Sequence, residues 1–177
     1  MAFAAARFAE NGFHPTSVAE IVSGIGVGKG VFYWYFESKD RLFLEILRDA
    51  QQDLRRTQQH AIAEEDDPIH RIELGIRVSM HWFAANRHLV NLFQFASTEE
   101  RFAPVLRRGQ EVAVADAVRH VKDAIVAGEV RDQDPEILAH AVIGLTSHLA
   151  RELIHNRGEA PDAVADAAIA FCLNGLR

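Results

Sequence analysis

The 177 residues include only one cysteine, Cys172. No intramolecular disulfide can form, so a reducing compartment, the cytoplasm, is expected. Long apolar runs are missing as well: the apolar start from Met1 to Phe8 ends at Glu10 and Asn11, and no Ala-x-Ala cleavage pattern follows. No stretch approaches the roughly 20 uninterrupted apolar residues that a span requires, so no membrane role is expected. Cys-x-x-Cys and His-Glu-x-x-His do not occur. His81/His88 and His148/His155 recur near one helix face, but the histidines read as solvated or core side chains, with no metal and no cofactor expected. No nucleophile stands beside a base. Cys172 lies near Ala168 and Phe171 on an apolar face, the setting of an inert thiol, and the chain is not expected to be an enzyme.

A basic excess is absent too, since the formal net charge is -6. Its distribution is uneven. Over residues 1–48, Arg7, Lys29, Lys39, Arg41 and Arg48 balance Glu10, Glu20, Glu37, Asp40 and Glu45, so the excess of negative charge lies beyond them. Screening over about 8 to 10 Å then permits a polyanion at the N-terminal end. Period-two alternation is scarce, and most segments place apolar residues three and four apart, which predicts an all-α fold.

What is present organises the chain. A short helix from Ala2 to Glu10 stops at Asn11-Gly12, residues suited to a left-handed cap. Ser17-Val18-Ala19-Glu20 reads as a capping box opening a second helix that ends near Ser23, before Gly24 and Gly26. A third carries Lys29 to Tyr35, and Ser38 is placed to cap a long fourth, Lys39 to Ala63, ending at Glu64-Glu65-Asp66-Asp67-Pro68. Further helices are expected over Ile69–Ala85, Leu89–Ala96, Phe102–Ala127, Asp134-Pro135 through Asn156, and Pro161–Leu176. The natural division is an N-terminal unit, residues 1–47, and a larger helical body, residues 48–177.

The stretch GIGVGKGVFYWYF, Gly24 to Phe36, decides the functional reading. A P-loop fails twice: Ser23 stands where its first glycine belongs, and Gly30 where a hydroxyl should follow Lys29. A dinucleotide loop fails because its third glycine is missing and no strand precedes it. A purely structural reading covers Phe32 and Phe36, expected to pack on the first helix through Phe3, Ala6, the Arg7 stem or Phe8. Tyr33, Trp34 and Tyr35 cannot all share that face, and three exposed rings mark a binding surface. Two short helices across a glycine turn are a helix-turn-helix, whose second helix enters the DNA major groove. Lys29 is then placed for a phosphate, Gly28 and Gly30 for close backbone approach, and the tyrosine hydroxyls for phosphate or base edges. Trp34 and Val31 suit thymine methyls. Helix starts after Thr16-Ser17 and after Ser38 offer amides to the flanking backbone, and Lys39 completes the clamp.

With these residues in view, Phe8 to Leu47, FAENGFHPTSVAEIVSGIGVGKGVFYWYFESKDRLFLEIL, closely resembles the TetR family of transcriptional regulators. A further family-like stretch is Gly128 to Leu145. The resemblance implies an all-helical homodimer, with a three-helix helix-turn-helix head on a larger helical ligand-binding and dimerisation body. It also implies release from a palindromic double-stranded DNA operator when a small molecule binds. Carried over by position, Thr16, Ser17, Tyr33 and Lys39 fall where phosphate is touched, and Gly28, Lys29, Gly30, Val31, Trp34 and Tyr35 where bases are read. Gly28 replaces a small hydroxyl residue common in the family, and Trp34 a frequent histidine. The family's basic arm and an extra turn of the first helix are expected ahead of Met1; either the chain is shortened or the protein lacks them.

In the body, Met80, His81, Trp82, Phe83, Leu92, Phe93 and Phe95 suggest an apolar effector pocket with a few polar groups, for which His81, His148 and Phe93 are the candidates. Ala139, Val142, Ile143, Leu149 and Leu153, with Ala163, Ala167, Ala170 and Phe171, suggest helices that pair two copies, though burial within one subunit accounts for part of the pattern equally well. The expectation is a ligand-responsive regulator, a repressor by family habit, released by a small apolar or amphipathic effector. The competing class is a helical small-molecule binding protein or enzyme without specific DNA binding.

Overall fold

The computed structural model describes residues 1–176, which are helical with no strand among them. The helices are α1 (Ala2–Asn11), α2 (Val18–Gly24), α3 (Lys29–Tyr35), α4 (Lys39–Ala61), α5 (Pro68–Ala85), α6 (Arg87–Thr98), α7 (Ala103–Val126), α8 (Pro135–Leu149) and α9 (Pro161–Leu176). Their ends follow side-chain chemistry. The Ser17 hydroxyl accepts from the Glu20 amide at 3.1 Å, and Ser38 likewise from Arg41 at 3.1 Å. Asp67 accepts from the amides of Ile69 and His70 at 2.8 and 3.2 Å, ahead of Pro68 at the first helical turn. Gly12, with φ 86, closes α1 in a conformation that side chains avoid.

The expected single helix through Asn156 is instead two segments. After Leu149 the backbone widens into a π-helix, Ala150–Asn156. The wider register keeps Ala150 and Ile154 buried, while the Arg87 guanidinium donates to the His155 carbonyl at 2.5 Å. Pro135–Asn156 together have spanning length and a mean hydropathy of 1.2. Their sequence also carries His140, His148, Arg151, Glu152 and His155, and Leu138, Ala139, Val142, Ala150 and Ile154 face the interior. Within their most apolar stretch, 33% is buried in the subunit.

The chain divides into two compact units, with α4 and α7 each passing from one to the other. The first comprises Met1–Gln52 and His88–Arg107. Its core joins Ala4, Ala5, Phe8, Phe13, Ile21, Val22, Phe32, Phe43 and Leu47 to Leu92, Ala96 and Phe102. The Phe13 ring is central, 4.9 Å from Phe43, 5.3 Å from Phe102 and 5.5 Å from Phe95. Phe32 points inward as expected, but α1 meets this core through Ala4, Ala5 and Phe8, whereas Phe3 remains 36% exposed.

The second unit comprises Asp53–Arg87 and the chain from Arg108 onward. Ile69, Ile72, Ile76 and Met80 of α5 pack with Val121 and Ala124 of α7, Leu138 of α8, and Val164, Ala165, Ala168 and Cys172 of α9. Burial pushes the Cys172 thiol pKa up, as suits an inert core cysteine. The self-association stripe divides on inspection: Ala139 and Val142 are buried within the subunit, whereas Ala163, Ala167, Ala170 and Phe171 face outward.

Candidate nucleic-acid interface

The interface is assembled from α2, its turn and α3. The turn closes through backbone bonds from Ile25 to Ile21 (3.2 Å), Gly26 to Ser23 (3.2 Å) and Val27 to Val22 (2.9 Å), with Gly26 at φ 73. Ile21, Val22 and Phe32 anchor both helices in the core. Phe32 faces inward, and its neighbours consequently face out: Val31 is 48% exposed, Tyr33 56%, Trp34 78% and Tyr35 67%. Trp34 and Tyr35 meet edge to face, centroids 4.6 Å apart. Lys29, at the start of α3, is exposed and pairs with none of the described residues.

Gly28 and Gly30 are informative because the subunit does not itself require them. Neither has a positive φ, and a Cβ built on either meets nothing within 4 Å. Gly30 lies inside α3, where a glycine costs roughly 0.5–1 kcal/mol relative to alanine, and Gly28 is the N-cap of the same helix. Gly24 differs: a Cβ there would lie 2.0 Å from Cζ of Phe3, so internal packing explains that glycine.

Two expected phosphate ligands, Thr16 and Lys39, are engaged within the subunit. The Thr16 side chain is fully buried, and its hydroxyl donates to the Gly12 carbonyl at 2.8 Å and also lies 3.3 Å from that of Arg7. It fastens the turn between α1 and α2. Lys39 is committed in the same way: its ammonium donates to the carbonyls of Phe13, His14 and Thr16 at 2.8, 3.2 and 2.9 Å. It also lies 4.4 Å from the centroid of the Phe13 ring. An ammonium has three donors, and here all three have intramolecular acceptors. Burial draws the Lys39 pKa below the usual lysine range. Ser17, by contrast, is exposed and uses only acceptor capacity in capping, so its O–H remains a donor.

The expected capping box is made from both sides: Ser17 accepts from the Glu20 amide, and the Ser17 backbone amide bonds the Glu20 carboxylate. The same carboxylate has a second duty, since its Oε1 accepts from the Arg7 guanidinium at 2.6 and 3.0 Å and from Asn11 at 3.2 Å, tying α1 to α2. The Arg7 hydrogen bond, aided by its charge, holds the Glu20 carboxyl below the ordinary carboxylate range. Arg101 of the first unit had no place in the sequence reading. It bonds Asp40 at 3.0 Å and lies over Phe13 and Phe102, 5.2 and 4.8 Å from their centroids. The one available signal was the neighbouring pair Arg101-Phe102.

Of the effector candidates, His81 and His148 lie in the second unit and Phe93 in the first. His81 is exposed on α5, with Nε2 2.8 Å from Asp162 of α9. His148 is exposed beside Arg151, 3.3 Å away. Phe93 packs against the core of the first unit. In the subunit these side chains take part in surface polar contacts and in packing of the first unit. Among the described residues, no cluster of three or more histidine, cysteine or carboxylate side chains is arranged to hold a metal.

Two short helices across a glycine turn, the second anchored by one buried ring and presenting a cation and three exposed rings, define a helix-turn-helix DNA-binding protein. Residues 1–46 match the family model described as "Bacterial regulatory proteins, tetR family". The N-terminal segment is thus that of a DNA-binding transcriptional regulator of this family. The chain is 23% identical over 182 residues to the uncharacterized HTH-type transcriptional regulator YdgC of Bacillus subtilis (strain 168), covering 98% of this chain and 88% of that one. It is 30% identical over 82 residues to the probable acrEF/envCD operon repressor of Escherichia coli (strain K12), covering 46% and 37%. The fold is shared with the fatty acid degradation regulator FadR from Bacillus halodurans, at a TM-score of 0.87 and 16% identity, covering 98% of this chain and 93% of that one.

Proposed function

We propose that this regulator acts as a homodimer on a roughly palindromic operator, most plainly as a repressor, and leaves it when a small apolar or amphipathic molecule binds the helical body. The single observation that carries the DNA-reading role is the outward face of α3, where Lys29, Val31, Tyr33, Trp34 and Tyr35 surround two glycines that the subunit's own packing does not need. The contact set is Ser17, Gly28, Lys29, Gly30, Val31, Tyr33, Trp34 and Tyr35. Thr16 and Lys39 are reassigned to holding the head together. Residues 1–47 serve as the DNA-binding domain and residues 48–177 as the ligand-binding and dimerisation domain, working in the cytoplasm without catalysis.

Dimerisation is supported by the outward stripe Ala163, Ala167, Ala170 and Phe171 on α9, where small side chains favour close helix approach. Two heads related by the dimer axis read two half-sites of one operator. An effector of fatty-acid type is supported by the fold shared with the Bacillus halodurans regulator and by the aliphatic interior around Ile72, Ile76, Met80 and Val121. The repressor role is supported by the resemblance to the acrEF/envCD operon repressor.

The test is duplex retention by the Lys29→Ala and Tyr33→Ala variants. Both are expected to lose operator binding while keeping the wild-type thermal melt, since both positions are exposed. A long-chain fatty acid is expected to release the wild-type protein from DNA. Variants that hold DNA as well as wild type would contradict the assignment of α3.

A further inference from the structure

From Ile25 to Tyr35 the exposed side chains are Ile25, Val27, Lys29, Val31, Tyr33, Trp34 and Tyr35. The stretch contains no Arg, Asn, Gln, Asp, Glu, Ser, Thr or His. Those types read base edges by hydrogen bonding: arginine pairs with guanine, asparagine or glutamine with adenine, and carboxylates with cytosine. A recognition helix without them has no bidentate reader for adenine and no acceptor for cytosine.

What remains is apolar and rigidly held. Val31 and Trp34 are three residues apart on one helix face, and so neighbours on its surface. Phe32 anchors the helix from the opposite side, and Tyr35 braces the Trp34 ring edge to face at 4.6 Å. Val27 and Ile25, 36% and 52% exposed, extend the apolar surface into the turn. The major groove offers one apolar feature to match it, the C5-methyl of thymine. Lys29 is the one cation in the stretch and the one side chain there suited to guanine O6 and N7.

Resting on the reading of α3 as the groove-entering helix, we propose that this protein distinguishes its operator chiefly through thymine methyl groups packed against Val31 and Trp34. Lys29 supplies the guanine or phosphate contact, and the Tyr33 and Tyr35 hydroxyls serve the backbone. Recognition then depends on a substituent that leaves Watson–Crick pairing untouched. Deoxyuridine, which lacks the methyl but keeps every hydrogen-bonding group, is a poor substitute in the half-sites. A cytosine carrying a 5-methyl group presents the same substituent at the same ring position and recovers part of what unmodified cytosine loses.

The experiment begins with a duplex enriched from a random pool by the full-length protein. That duplex is remade with deoxyuridine for thymine inside the half-sites alone, and a control carries the replacement outside them. Equilibrium binding is expected to weaken by about fourfold for each contacted methyl removed, the factor that follows from burying one methylene-sized group. The control duplex is expected to bind unchanged. Trp34→Ala is expected to bind the thymine duplex more weakly and to lose most of its sensitivity to deoxyuridine. A deoxyuridine duplex bound as tightly as the thymine duplex would overturn methyl readout while leaving the DNA-binding role intact. Full deoxyuridine sensitivity in both Trp34→Ala and Val31→Ala would overturn the assignment to these side chains. If no duplex is enriched by folded protein, the reading of α3 fails, and this inference with it.

Discussion

The Lys39 ammonium lies 4.4 Å from the centre of the Phe13 ring and donates to the carbonyl of the same residue at 2.8 Å, so the first residue of α4 fastens the turn that follows α1. With the carbonyls of His14 and Thr16 also bonded, replacing Lys39 leaves three acceptors without their donor. Lys39→Met is expected to destabilise the protein by about 2 kcal/mol, from charge-assisted hydrogen bonds and one cation–π contact. A denaturant titration checks it. The dependence of DNA affinity on salt is expected to keep its slope in this variant, whereas Lys29→Ala lowers the slope by about 0.9 per half-site. An equal loss of slope in Lys39→Met would return that lysine to the phosphate contacts.

Gly30→Ala separates folding from binding. The position is helical, has no positive φ and opens on empty space, so alanine is expected to raise stability by about 0.5–1 kcal/mol. Its methyl group stands where the duplex must approach, and operator affinity is expected to fall. Parallel melting and binding curves read both effects, and a rise or fall in both together would contradict the assignment.

These two residues mark where sequence reasoning succeeds and where it stops. The bounds of α3, the caps at Ser17, Ser38 and Asp134, and the inward direction of Phe32 depend on neighbours within one or two turns, and they were legible. The duties of Lys39 and Thr16 depend on carbonyls elsewhere in the chain, which a family pattern assigns to phosphate and only the folded turn reveals. Leu92 and Phe102 complete the core of the first unit from far along the chain, and no local periodicity announces such a partnership. The π-helix at Ala150 was hidden for a similar reason, because no glycine or proline interrupts Leu145 to Asn156.

Gly24→Ala places a Cβ 2.0 Å from Cζ and 2.3 Å from Cε1 of Phe3. The Phe3 ring sits at the edge of the head and can swing away, at the cost of its own packing on α2. A loss of about 1 kcal/mol is expected. Phe3→Ala removes the obstacle, so the double variant is expected to be more stable than the sum of the single effects, which a double-mutant cycle measures.

Acid is expected to act on both units. Arg7 holds the Glu20 carboxyl below its ordinary range, so this link stabilises the head above that range and is lost as pH falls through the folded value. Glu20→Gln removes that part of the pH dependence. In the second unit, burial lowers the pKa of His120 and His155, with nearby arginines adding to it. The neutral rings favour the folded state above the ordinary value of 6.5, and that contribution declines as pH falls below it. Thermal melts from pH 8 to 5 are expected to show falling stability that His120→Gln reduces.

The central claim is that α3 reads a double-stranded operator in two symmetric copies. Selecting the purified, folded protein against random-sequence duplexes tests it most directly. Enrichment of an inverted repeat, its half-sites separated by about one or two helical turns, is the result the structure predicts. Folded protein that enriches no sequence would contradict it.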